Sequence, residues 1–83
     1  MSVEEISFLN KTKIRIQAQI FSGRQLISTC VADPGEMYTL QCGSAGHDIY
    51  CRHASTGWEI AHKRNNKTIS VTLSQQRERF ILS

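Results

Sequence analysis

Residues 13 to 21 read Lys13-Ile14-Arg15-Ile16-Gln17-Ala18-Gln19-Ile20-Phe21. Ile14, Ile16, Ala18 and Ile20 alternate strictly with Lys13, Arg15, Gln17 and Gln19, the period of a strand with one face in a core and the other in water. Residues 68 to 74 repeat the pattern, with Ile69, Val71 and Leu73 expected inward and Thr68, Ser70, Thr72 and Ser74 outward. Two such strands, far apart in the chain, set the class as all-β.

Turn chemistry between and around them supports the same class. Asn10-Lys11, Ser22-Gly23-Arg24, Asp33-Pro34-Gly35-Glu36, Gly43-Ser44-Ala45-Gly46, Ser55-Thr56-Gly57, Arg64-Asn65-Asn66-Lys67 and Ser74-Gln75-Gln76 punctuate the chain at short intervals. Crossover helices do not fit between them. The expected architecture is a two-layer antiparallel β-sandwich of seven or eight short strands, with a small closed β-barrel as runner-up. Ile, Val and Thr together number 18 against 10 for Ala and Leu, which favours strands over helices. With 83 residues there is room for one core, so residues 1–83 are read as a single all-β domain.

Between the two clear strands, Gln25 to Val31 carries apolar groups on both faces and is read as a central strand, with Leu26 and Cys30 on one side. Tyr38, Leu40 and Cys42 share a face; so do His47, Ile49, Cys51 and His53, and so do Trp58, Ile60 and His62. The expected core is Ile14, Ile16, Ile20, Leu26, Leu40, Ile49, Trp58, Ile60, Ile69, Val71 and Leu73. Ser22-Gly23 and Asn65-Asn66 both suit tight hairpins. Ile6 with Phe8, and Phe80 with Leu82, are spaced by two, so both termini are read as strands.

The sequence has no run of 18 apolar residues, so no membrane association is expected. Glu4, Glu5, Lys11, Lys13 and Arg15 stand where a signal-peptide core would be, so synthesis from Met1 implies a cytoplasmic protein with Cys30, Cys42 and Cys51 as free thiols. Asn10-Lys11-Thr12 and Asn66-Lys67-Thr68 match the N-glycosylation pattern but are read as turn entries. The net charge of +3 is uneven: residues 51 to 83 hold six basic and two acidic groups. That balance permits an anionic partner without requiring one.

Three chemistries compete for the polar side chains. Cys42, His47, Cys51, His53 and His62 lie within 21 residues, and Cys51, His53 and His62 form the candidate metal set. The spacing misses that of structural zinc, and packed Cys and His are the commoner outcome, so no cofactor is expected. A nucleic-acid surface would draw on Arg52, Arg77 and Arg79 with Tyr50 and Phe21 as stacking rings. Gln17 and Gln19, with Ser70 and Thr72, offer a flat polar face for a peptide, a sugar or a protein. A sugar would want an exposed ring, and Trp58 after Gly57 is the candidate, although its alternation with Ile60 favours burial. No nucleophile–base pair, carboxylate pair or phosphate loop is present. The expected function is a non-enzymatic binding or protein-interaction module with a protein partner or a second copy of itself. Gln17, Gln19, Tyr50, Arg52, Arg77 and Arg79 are its candidate ligand residues.

Overall fold

The computed structural model describes residues 4–43, 46–66 and 69–83, the side chains of residues 65 and 66 excepted. In these residues the chain forms eight strands: β1 (Glu4–Lys11), β2 (Ile16–Ser22), β3 (Gln25–Ala32), β4 (Met37–Cys42), β5 (His47–His53), β6 (Glu59–Asn66), β7 (Ser70–Gln76) and β8 (Arg79–Leu82). They build two four-stranded sheets, ordered β4-β1-β7-β8 and β3-β2-β5-β6. The sheets pack face to face and do not close into a barrel, so the protein is a β-sandwich. All pairings are antiparallel except β1 with β7, which run parallel from Ser7↔Ser70 to Lys11↔Ser74. A parallel pair needs a long connection, and here the five strands between β1 and β7 supply it.

The alternation in β2 does what its spacing predicts: Ile16, Ala18 and Ile20 are fully buried. Ala32, Ile49 and Cys51 join them from the same sheet, and Ile6, Phe8, Leu40, Cys42, Val71 and Leu73 meet them from the other. Fully burying each large apolar side chain contributes roughly 1.5–3 kcal/mol, so this two-sided layer is the main favourable term in folding. Gly23, at φ +61°, opens the two-residue turn between β2 and β3 as expected.

Four readings need correction. β3 is an edge strand, not a central one. Its register against β2 slips at Ile27: Ser28 faces Ile20 while Leu26 faces Phe21, so Leu26 leaves the Cys30 side and is 44% exposed. A second slip, between Cys51 and Arg52, makes Ile60 the extra residue of β6. Ile60 packs on the core and His62 lies across from Tyr50, so the two do not share a face. Trp58 and Ile69 precede their strands and are 76% and 81% exposed. Finally, Asn65-Asn66 are the last residues of β6, with Asn66 opposite His47, and β6 and β7 belong to different sheets, so the pair makes no hairpin.

Asn10, read as a turn residue, is fully buried at the end of β1. Its amide donates to the carbonyls of Ile14 and Ala32, both at 2.9 Å. Its Oδ1 accepts from the Thr12 N–H at 2.9 Å and the Thr12 hydroxyl at 2.7 Å. Its backbone N–H donates to Glu36 and its carbonyl accepts from Gly35. The nitrogen that would carry a glycan is therefore enclosed and twice bonded. The side chain of Asn66 and residues 67 and 68 lie outside the described residues.

Two predictions follow from burial. Asn10→Ala strands the buried Ala32 carbonyl and the Thr12 N–H, while the Ile14 carbonyl keeps the Thr12 hydroxyl at 3.0 Å, and should cost about 2–4 kcal/mol in urea unfolding; a loss below about 0.5 kcal/mol would remove Asn10 from its role. His47 is buried, and neither ring nitrogen has a hydrogen-bond partner among the described residues. Desolvation holds its pKa below the ordinary 6.5, against smaller opposing effects from Asp48 and Glu4. The unfolded chain therefore takes the proton first, and the stability contribution is complete above the unfolded pKa and shrinks as pH falls through it toward the folded value. His47→Leu should flatten that decline between about pH 7 and about pH 5 in thermal melts, and an unchanged slope would refute the assignment.

Candidate functional site

The outward face of the β3-β2-β5-β6 sheet gathers four of the six candidate ligand residues. Register places Gln19 opposite Tyr50 and Gln17 opposite Arg52, with His62 on the other side of Tyr50. The His62 ring stacks on Tyr50 at 4.2 Å and 8°, and Phe21 meets Tyr50 edge-on at 5.4 Å. Arg52 donates from Nε to Gln19 Oε1 at 2.8 Å, reaches the Gly57 carbonyl at 3.4 Å and lies 5.6 Å from the Tyr50 centroid. Phe21 and Tyr50, whose relative position the sequence left open, are thus neighbours. With Gly23, Arg24 and Arg52 they line a shallow groove of about 320 Å³.

This cluster is largely engaged with itself. His62 covers one face of Tyr50, and Gln19 and Gly57 hold the Arg52 guanidinium. Arg15, from the same outward stripe, pairs with Asp33 at 2.8 Å. A base seeking a free ring and unpaired cations finds few of either here. Arg77 and Arg79 lie in the other sheet, on the β7–β8 hairpin, where Arg77 occupies the turn at φ +60°. Ser70 and Thr72 also belong to that sheet, so they do not join Gln17 and Gln19 in one polar face.

The candidate metal residues do not converge. Cys51 is fully buried in the core; His53, at the end of β5, is half-buried with Nδ1 2.9 Å from the Ser55 hydroxyl; His62 is on the opposite face of the sheet. The register pairs Cys51 with Ala61 and Tyr50 with His62, which puts His62 on the face away from Cys51. Among the described residues no three His, Cys, Asp or Glu side chains group as metal ligands do. Burial pushes the Cys51 thiol up to about 12 and raises Cys30 and Cys42 as well, which keeps all three protonated at neutral pH.

Two further surfaces escaped the sequence reading because both depend on which side chains the slips and strand ends leave outside. One is the side of the sandwich made by β3 and β4. These two strands carry the exposed Leu26, Ile27, Val31, Met37 and Tyr38, with Leu26 and Val31 on the outer face of one sheet and Met37 on that of the other, and the Ser28 hydroxyl donates to the Gln41 carbonyl at 2.6 Å across the two strands. The other lies on the opposite side, where Trp58 borders a groove of about 410 Å³. The alternation with Ile60 predicts burial of Trp58, but its place ahead of β6 leaves it exposed.

Comparisons of the chain with protein-family models, curated proteins and solved structures give no match. The functional reading therefore rests on these surfaces. For the metal set, protein purified without a His tag should contain no stoichiometric zinc or copper, and a chelator should leave the melting temperature unchanged. A metal-to-protein ratio near one would require a rearrangement of β6.

Proposed function

We propose that the protein is a non-enzymatic interaction module that associates with a second copy of itself through its β3–β4 side. The observation that carries this is that both strands of this side are uncharged sheet edges, and they also bear five of the eight exposed large hydrophobic residues among those described, Leu26, Ile27, Val31, Met37 and Tyr38.

Both strands on this side are sheet edges, and neither Gln25–Ala32 nor Met37–Cys42 contains a charged residue or a proline. Edges are ordinarily guarded by such residues because their unpaired N–H and C=O groups invite another strand. The opposite edges do carry charge: Glu59, Lys63 and Arg64 in β6, and Arg79 in β8. Antiparallel pairing of β3 with β3 of another copy is two-fold symmetric, so residues at the axis meet their own kind and every other contact occurs twice. An uncharged strand suits that geometry, since like charges beside the axis would repel.

Support for the non-enzymatic part is chemical. The three thiols are held protonated, and Asp33 is engaged by Arg15. The nucleic-acid alternative draws on the Phe21–Tyr50 contact, but the engaged state of Tyr50 and Arg52 weighs against it.

Light scattering over a concentration series should show a mass approaching twice 9.4 kDa by about 100 μM. Val31→Lys combined with Met37→Lys should hold the protein monomeric with its strand spectrum and melting temperature retained, because both side chains are exposed. A wild-type protein that stays strictly monomeric to about 1 mM would overturn the proposal.

A further inference from the structure

Trp58 is the single tryptophan of the chain, and its backbone is fastened while its ring is not. Its N–H donates to Thr56 Oγ1 at 3.3 Å and its carbonyl accepts from His53 N–H at 2.8 Å. The preceding Gly57 takes φ +78°, donates to the His53 carbonyl at 2.7 Å and accepts from Arg52 at 3.4 Å. A side chain would strain that backbone, so glycine is required at this position. The result is a rigid turn presenting an indole that is 76% exposed.

Beside the ring runs the groove of about 410 Å³, lined by His53, Thr56, Trp58, Glu59, Ile60 and Phe80. Ile60 comes from one sheet and Phe80 from the other, both half-buried against the core. Trp58, Ile60 and Phe80 make the groove mainly apolar, and His53, Thr56 and Glu59 add polar groups to its lining. Because the backbone is already ordered, a ligand would incur little of the loop-ordering cost that usually opposes binding.

The lining selects among ligand classes. An anionic ligand would be repelled by Glu59. A purely apolar chain would desolvate the Glu59 carboxylate without giving it a hydrogen-bond partner. A neutral, flat ring with one apolar face and a rim of hydroxyl donors satisfies both halves of the groove. We infer that the β6–β8 side is a carbohydrate-binding site, in which Trp58 stacks on the apolar face of a sugar ring and Glu59, His53 and Thr56 take its hydroxyls. This site is separate from the β3–β4 side and does not depend on self-association.

The lone tryptophan is its own reporter. Titration with neutral oligosaccharides of glucose, mannose, galactose, xylose and N-acetylglucosamine should shift Trp58 emission to shorter wavelength, saturably, with at least one of them, at a Kd of about 0.1–1 mM. By calorimetry, Trp58→Ala should weaken that oligosaccharide at least tenfold, roughly the loss of one anchoring contact, while Trp58→Phe retains part of it. Glu59→Gln should weaken it about tenfold with the melting temperature unchanged. The monomeric Val31→Lys, Met37→Lys protein should bind with the same Kd per chain. The inference is overturned if none of the oligosaccharides moves the emission up to about 20 mM, or if Trp58→Ala binds as the wild type does. It is equally overturned if an apolar peptide saturates the groove when no sugar does.

Discussion

The carboxamide of Asn10 is the contact on which the arrangement of the chain turns. Four hydrogen bonds to one buried side chain join the end of β1 to the turn that follows it and to Ala32 at the end of β3. The same residue's backbone groups bind the turn between β3 and β4. One position therefore links the two sheets and fixes where the chain passes between them. Apolar packing is non-directional and would tolerate a sliding of one sheet over the other. A buried amide with two donors and two acceptors all engaged does not, because any shift leaves a polar group without a partner.

What was legible in the sequence followed from unbroken alternation. Ile16, Ala18 and Ile20 in β2, and Val71 and Leu73 in β7, sit in uninterrupted registers, and their spacing alone placed them in the core. Leu26, Ile60 and His62 were placed on the wrong relative faces because each stands beside a bulge, and a period of two carries no mark where one residue is added. Ile69 continues the β7 alternation in sequence, yet it lies before the first strand residue and outside the cover of the other sheet. Asn10 is the turn entry its residue type suggests, with Oδ1 accepting from the Thr12 N–H two residues on, but its burial was not legible because it depends on Ala32, 22 residues away. The polar face fared similarly. Gln17, Gln19, Tyr50 and Arg52 came together because they share neighbouring strands, while Arg77 and Arg79 belong to the other sheet.

The two bulges also explain why the functional surfaces were hidden. The slip at Ile27 turns Leu26 outward and helps make β3 an apolar edge. The slip at Ile60 turns that side chain to the core while His62 stays opposite Tyr50 on the far face, which leaves Ile60 beside Phe80 in the groove under Trp58. Bulges bend a strand and raise its twist, and at the margin of a sheet they decide which residues the core recruits and which it releases. In a small sandwich the released side chains are the ones available for binding.

The placement of the two surfaces has a consequence for avidity. The uncharged strands β3 and β4 form one lateral side, and β6 and β8, which flank Trp58, form the other. Pairing through β3 would therefore leave both Trp58 grooves open, on the outer margins of a continuous sheet. A single stacked ring with three polar partners gives a weak site, because an open groove excludes water from one face of the ligand only. Two such sites on one particle meet a repetitive polymer differently. Once the first groove is occupied, the second samples the same chain at an effective concentration set by their fixed separation, and that raises the apparent affinity without any new contact. On this proposal self-association and ring recognition would be chemically independent and mechanically complementary: a charge-free edge would set the number of grooves, and Trp58 what each of them holds.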